Sequence, residues 1–111
     1  MIELVVLEYL SKRLEIPVVM GRIKEETFVL VQKTSGSEKN HIGSAMIAVQ
    51  SYAKSMQDAA ILNERIKNEM KQLIVLNEIS AVHLNSDYPF SDTISKIYRY
   101  QAVFDITHYN S

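Results

Sequence analysis

The sequence lacks several residues on which common chemical sites depend. It has no cysteine among its 111 residues, which excludes disulfides, thiol nucleophiles and thiolate metal sites. Neither sign of charge dominates, because 12 Lys and Arg stand against 13 Asp and Glu, for a formal net charge of −1. The basic residues are spread along the chain, whereas a dedicated nucleic-acid binder needs a concentrated basic surface.

Long apolar runs are also missing. The segment 1–8 has Glu3 where a signal peptide would have Lys or Arg, and its apolar run is broken before it reaches a membrane-spanning length. We therefore expect a protein that is made in a cytoplasm and has no membrane partner. With 47% hydrophobic and 23% charged residues, the composition is that of one soluble globular domain.

The clearest pattern in the chain is the alternation of residues 97–106. One side of this segment carries Tyr98, Tyr100, Ala102, Phe104 and Ile106, and the other carries Arg99, Gln101, Asp105 and the following Thr107. A buried parallel strand would be apolar on both sides, so the alternation predicts an antiparallel sheet that is covered on one face only.

Two segments have the apolar spacing of helices. The first spans about residues 2–15 and ends before Pro17, which cannot continue a helix. The second begins at Ser55, which has capping-box spacing with Asp58, and its apolar stripe consists of Met56, Ala59, Leu62, Ile66, Met70 and Leu73. We therefore predict an α+β fold, a single domain over residues 1–111 with a mainly antiparallel sheet and two main helices on one face.

Further strands are predicted at residues 18–20, 27–33, 45–53 and 80–85. Residues 34–44 are polar and contain two of the three glycines, which predicts the longest loop of the chain. The Tyr-Pro-Phe-Ser-Asp sequence at 88–92 predicts a turn.

No pattern predicts a catalytic, cofactor or metal site. The three histidines, His41, His83 and His108, lack the spacing that would aim two ligands at one metal ion. Asp87 and Asp92 flank the predicted turn and are interpreted as turn-capping side chains, with an acid/base pair of a small enzyme or ligand-binding module as the alternative. We expect a protein that is not an enzyme and has no cofactor.

Tyr88, Phe90 and Tyr109 lie at turn or terminal positions, where an isolated domain gains little from aromatic side chains. Two interpretations stay open. The rings fold back over the edge of the core, or they anchor a neighbouring subunit, as aromatic residues do at the centres of interfaces.

Two stretches of the sequence carry a family resemblance. One is Gln-Ser-Tyr-Ala-Lys-Ser-Met-Gln-Asp-Ala-Ala-Ile-Leu-Asn at 50–63, and the other joins Leu-Asn-Ser-Asp-Tyr at 84–88 to Tyr-Arg-Tyr-Gln-Ala-Val-Phe-Asp-Ile at 98–106. Together they resemble the tail-terminator, or tail-completion, proteins of long-tailed phages and prophages, which are often labelled minor capsid proteins. The resemblance spans nearly the whole chain, and its motifs are structural.

The resemblance implies a structural protein that forms a homohexameric ring at the head-proximal end of the tail tube. Such a ring ends tube growth and receives the head-tail connector protein, and DNA passes through it without sequence-specific binding. The implied location is the tail or neck of the virion, after assembly in the cytoplasm of a bacterial host. A head-tail connector or adaptor subunit of the neck is the alternative, because small α+β folds recur among tail proteins.

Interface positions are predicted on physical grounds, because no family motif transfers them. Residues 33–44 are predicted to become ordered against the tube or connector, and residues 87–93 with Arg99 are predicted to contact the neighbouring subunit. The candidates are Lys33, Glu38, Lys39, His41, Asp87, Tyr88, Phe90, Asp92 and Arg99. Gln101 and Asp105, on the polar side of the last strand, extend this surface.

Overall fold

The protein folds as a five-stranded sheet with two helices on one face, in a computed structural model that describes residues 1–92 and 94–109. The helices are α1 (Ile2–Arg13) and α2 (Met56–Lys71), and a short 3₁₀ helix (Gln72–Val75) continues α2. The strands are β1 (Val18–Val19), β2 (Phe28–Lys39), β3 (Ile42–Ala53), β4 (Ile79–Pro89) and β5 (Tyr98–Tyr109). In the sheet they lie in the order β1-β2-β3-β5-β4, and only β1 and β2 are parallel. The predicted α+β class is confirmed.

Helix α2 begins as the capping-box spacing predicts. The Oγ of Ser55 accepts a hydrogen bond from the backbone N–H of Asp58 at 3.1 Å, which satisfies one of the free donors of the first turn. The apolar stripe is buried from Ala59 to Met70, and Leu73 on the 3₁₀ helix completes it. Helix α1 ends at Arg13, slightly earlier than predicted, because Leu14 is already extended.

The main core lies between the helices and one face of the sheet. Ala102, Phe104 and Ile106 of β5 are almost fully buried there, as the alternation of this strand predicts. The same core contains Val6 and Leu10 of α1 together with the stripe of α2 and apolar residues of β2 and β3. The opposite face of the sheet is called the open face below, because no helix of the described residues covers it. It has a smaller apolar cluster of Phe28, Leu30 and Tyr52.

The prediction of a long loop at 34–44 is wrong. Strands β2 and β3 form one long hairpin that is closed by Asn40 and His41, whose φ angles are +53° and +65°. Two consecutive left-handed residues are typical of a tight type I′ hairpin turn. The prediction failed because the turn is Asn-His instead of Asn-Gly, and because residues from Gln32 onward on β2 are all exposed, so no apolar alternation marks the strand.

The predicted turn at 88–92 is displaced toward the C-terminus, because β4 extends through Tyr88 and Pro89. Pro89 is tolerated there since it lies at the end of an edge strand. The chain reverses between Asp92 and Ile97, whose backbones exchange two hydrogen bonds of 2.8 and 2.9 Å.

Over the described ranges, the structure has no helix that is both long and apolar enough to cross a membrane.

Candidate functional site

The open face of the sheet gathers the residues with the strongest signs of a binding surface. The register pairs Tyr52 of β3 with Arg99 of β5, and Gln50 of β3 with Gln101 of β5. Gln101 is in turn paired with Tyr88 of the edge strand β4. Side chains of paired residues lie on the same side of a sheet, so these five form a continuous polar and aromatic row across three strands.

Hydrogen bonds connect the members of this row. The Nη1 of Arg99 donates to the hydroxyl of Tyr52 at 3.2 Å, and this hydroxyl donates to Oε1 of Gln50 at 2.9 Å. The Nε2 of Gln50 donates to Oε1 of Gln101 at 2.7 Å, and the Nε2 of Gln101 donates to the hydroxyl of Tyr88. A connected network of this kind restricts the rotamers of its members. The open face is therefore polar and ordered at the same time.

Aromatic rings surround the guanidinium group of Arg99. Its Cζ atom lies 4.4 Å from the ring centroid of Phe90 and 5.5 Å from that of Tyr52. Tyr52 stacks on Phe28 with centroids 4.3 Å apart, and Phe90 meets Tyr88 edge-on at 6.2 Å. These contacts fix the cation between ring faces, which is a favourable cation–π arrangement.

The backbone of Arg99 is held as firmly as its side chain. The hydroxyl of Ser91 accepts a hydrogen bond from the N–H of Arg99 at 2.9 Å and donates to its carbonyl oxygen at 3.0 Å. The Nε of Arg99 is buried and has no hydrogen-bond partner within the described residues. This buried donor is an unsatisfied polar group inside the network, and the contacts around it hold the guanidinium in one position.

Tyr88 and Phe90 are 39% and 41% exposed. Their rings contact each other, and Arg99 and Gln101 contact one ring each. They therefore form the exposed border of the Arg99 network at the edge strand. Tyr109, the third aromatic residue of this group, is 55% exposed at the other end of β5.

The structure brings only some of the predicted candidates together. Tyr88, Phe90 and Arg99 form one cluster on the open face. Lys33, Glu38, Lys39 and His41 are exposed along the far half of the β2–β3 hairpin and at its turn. Thr93, in the predicted segment 87–93, lies outside the described residues.

The interpretation of Asp87 as a turn-capping residue is wrong. Asp87 lies within β4 on the side that faces α2, where its Oδ2 is 3.0 Å from Nζ of Lys67 and its Oδ1 is 3.5 Å from Nδ2 of Asn63. The hydrogen bond of Lys67 with Glu64, followed by the one with Asp87, raises the pKa of Lys67 above its usual 10.5. Asp87 thus ties the edge strand to α2 within one subunit.

The interpretation of Asp92 as a turn-capping residue is confirmed. Its Oδ1 accepts the backbone N–H groups of Ile94 and Ser95 at 3.1 and 3.2 Å. Hydrogen bonds from Ser95, through its side chain and then its backbone, lower the pKa of Asp92 below 3.8. Asp87 and Asp92 therefore have separate structural partners. No group of three or more His, Asp or Glu side chains in the described parts of the chain is arranged to hold a metal ion.

The sequence pattern did not predict that residues of β3 contribute to this site. Gln50 and Tyr52 are buried polar and aromatic residues that connect Arg99 to Gln101. The sequence gives only a weak signal here, because Ser51 interrupts the apolar side of β3 and Tyr52 is itself aromatic.

Comparison with known proteins assigns no family. No model of a protein family matches the sequence, and a search of curated proteins gives no significant match. The resemblance to tail terminators therefore stays a prediction that rests on the residues quoted above.

Proposed function

We propose that the protein is a tail terminator of a long-tailed phage or prophage. It forms a homohexameric ring on the head-proximal end of the tail tube, ends tube growth and presents a surface to the head-tail connector, while DNA passes through the ring. Its role is structural and not enzymatic. The observation that supports this proposal best is the open face, where no helix or strand of residues 1–92 and 94–109 covers the ordered row of aromatic and hydrogen-bonded side chains.

The chemistry of the open face is suited to a contact between proteins. Tyr, Phe and Arg are enriched at interface centres, whereas Lys and Glu are depleted there. Arg99 lies between the rings of Phe90 and Tyr52, which hold its guanidinium in place. Because hydrogen bonds already restrict Gln101 and Tyr88, their side chains would lose little entropy when a neighbouring subunit packs against them.

The shape of the subunit also agrees with a ring. Its principal extents are 46 × 24 × 22 Å, so six elongated copies can lie side by side around an axis.

The far half of the β2–β3 hairpin carries the candidates Lys33, Glu38, Lys39 and His41 on exposed backbone. It is folded in the isolated subunit, so we assign it to the contact with tube or connector without a disorder-to-order step.

The proposal is tested by mixing the purified protein with the tail tube protein of the same phage. Electron microscopy should show tubes that stop growing with one ring at one end, and native mass spectrometry should detect six copies in that ring. A protein that neither binds tube ends nor limits tube length would refute the proposal. If it instead binds the portal side of the neck, it is a connector subunit.

A matched pair of variants identifies the surface. Phe90→Ser removes a ring on the open face, whereas Ile61→Ser removes an apolar side chain that is 60% exposed on α2. We expect Phe90→Ser to abolish ring formation while the subunit stays folded, and Ile61→Ser to leave ring formation unchanged. The opposite result would place the subunit contact on the helices.

A further inference from the structure

A recess of about 370 Å³ lies at the end of the sheet where β2 begins and β3 ends. Three separate parts of the chain contribute its basic residues. They are Arg22 and Lys24 from the connection between β1 and β2, Lys54 directly after β3, and Lys96 directly before β5. This group of four cations is called the basic recess below.

Within the part of the chain that the structure describes, the four cations form no ion pair. Among the described residues, no carboxylate oxygen lies within 4.0 Å of any of them, and the ion pairs that do form involve Arg13, Arg65 and Lys67. Glu25 and Glu26 line the same recess without pairing with these cations. Four cations and two acids leave an excess of two positive charges, which attracts an anionic group.

Lys96 has an unusual backbone conformation at the edge of the recess. Its φ angle is +55°, a left-handed conformation that glycine or asparagine adopts more easily than lysine. The turn is imposed by Asp92, which accepts the N–H groups of Ile94 and Ser95 and exchanges backbone hydrogen bonds with Ile97. A lysine in this position introduces strain and directs an ammonium group to the recess.

The recess is continuous with the Arg99 network of the open face. Tyr52 and Phe28, which stack on each other, line the recess. The Cζ atoms of Arg22 and Arg99 both lie 5.5 Å from the ring centroid of Tyr52. The cations of the recess and Arg99 therefore lie next to each other around one aromatic pair, and an anion in the recess would meet them together.

We propose that the basic recess binds the carboxylates of an acidic segment in a partner protein. The recess has a net excess of only two positive charges, which matches one or two carboxylates, whereas binding a phosphate backbone needs a larger concentrated basic surface. The inference deepens the proposed function, on which it rests for the identity of the partner, because it names the chemistry that the adjoining protein presents to this end of the sheet.

The binding test needs only the purified protein and a labelled hexaglutamate peptide, in fluorescence anisotropy at low ionic strength. Loss of one exposed ion pair weakens binding by about threefold, so the double variant Lys54→Gln/Lys96→Asn should bind roughly tenfold more weakly. Lys71→Gln, which removes an exposed cation from α2, is the matched control and should bind like the wild type. Absence of wild-type binding, or equal weakening by Lys71→Gln, would overturn the proposal.

Two further measurements complete the test. A double-stranded DNA oligonucleotide should bind more weakly than hexaglutamate, and tighter DNA binding with the same dependence on Lys54 and Lys96 would overturn the choice of ligand.

The single variant Lys96→Asn should bind the peptide more weakly while unfolding at the same or a higher temperature, because asparagine tolerates the left-handed conformation. A lower unfolding temperature would show that Lys96 serves the fold and would overturn its assignment to binding.

The source of the acidic segment is determined by sedimentation of the protein alone and with tube protein. Self-association that the Lys54→Gln/Lys96→Asn variant loses would assign the acids to a second copy, and association that requires the tube protein would assign them to that partner. The peptide measurement is independent of ring formation. Failure of the ring assay therefore does not affect it, and failure of peptide binding does not affect the proposed function.

Discussion

The contact between Lys67 and Asp87 gives a prediction that separates a stabilising role of Asp87 from a role between subunits. The side chains are only 17% and 27% exposed, and their charged atoms are 3.0 Å apart. Exposed ion pairs contribute about 0–1 kcal/mol, whereas breaking a buried pair costs about 3–5 kcal/mol. For this half-buried pair we expect Asp87→Asn to lower the free energy of unfolding by about 1–1.5 kcal/mol.

The expected loss of stability in Asp87→Asn is small because Lys67 has a second partner. Glu64 lies 2.7 Å from its Nζ, so Asp87→Asn does not leave the ammonium group unpaired. Lys67→Met, by contrast, leaves Asp87 half-buried with only Asn63 as a donor, and it should cost about 2 kcal/mol. The double variant should cost less than the sum of the two single variants, because the interaction is lost only once.

The assay is urea unfolding followed by circular dichroism, with Asp105→Asn as the matched control. Asp105 is half-buried on β5 and accepts a hydrogen bond from Asn85, but it has no ion pair among the described residues. We expect a loss of less than about 0.5 kcal/mol for Asp105→Asn and a drop in melting temperature of about 4–7 °C for Asp87→Asn. Equal effects of the two variants, or additive effects of Lys67→Met and Asp87→Asn, would refute the reasoning.

Four further predictions follow from the structure. His41→Gly should raise the free energy of unfolding by about 0.5–1 kcal/mol, because glycine adopts the φ of +65° at the hairpin turn without strain; a decrease in urea unfolding would contradict this. Ser55→Ala should lower it by about 1 kcal/mol, whereas Ser55→Asp should retain the N-cap. Tyr52→Phe should cost about 1 kcal/mol, since it removes the hydroxyl between Arg99 and Gln50; hydrogen exchange of β3 should show the loosening. Finally, the raised pKa of Lys67 adds stability that is fully present below pH 10.5 and is lost as the pH rises through the folded-state value. Burial raises the pKa of Tyr9 in the same range, so this loss is measured in a Tyr9→Phe background and should be smaller in Asp87→Asn.

The parts of the fold that the sequence predicted well are those with a buried face. The alternation around Ala102 and Phe104 identified the covered side of β5, and the spacing from Ser55 onward identified α2 with its cap. Burial imposes a strict period on a sequence. Where both sides of a strand are exposed to solvent, as on β2 from Gln32 onward, the sequence has no such period. The sequence pattern therefore indicated a loop in place of the hairpin.

The candidate site was harder to predict because its contacts are long-range. The sequence pattern identified Tyr88 and Phe90 by their place in a predicted turn and Arg99 by its place on the polar side of β5. The residue that connects them to the recess is Tyr52, which is buried and 47 positions away from Arg99. Asp87 was misassigned for a related reason. Its partner Lys67 lies on another element, and only the sheet register places Asp87 on the side facing α2.

Under the proposed function, the two faces of the sheet have different roles, stability on one and partner binding on the other. The helix-covered face contains the large buried side chains and the Lys67–Asp87 contact, so substitutions there should change the free energy of unfolding before they change assembly. On the open face, Phe90 is exposed at the edge strand and Lys96 is strained at the recess. Replacing Lys96 relieves strain, and replacing Phe90 removes its contacts with Arg99 and Tyr88 but no residue of the main core. The strongest support for a binding surface would be substitutions on this face that impair partner binding while stability is unchanged or increased. A purely structural role cannot produce that combination.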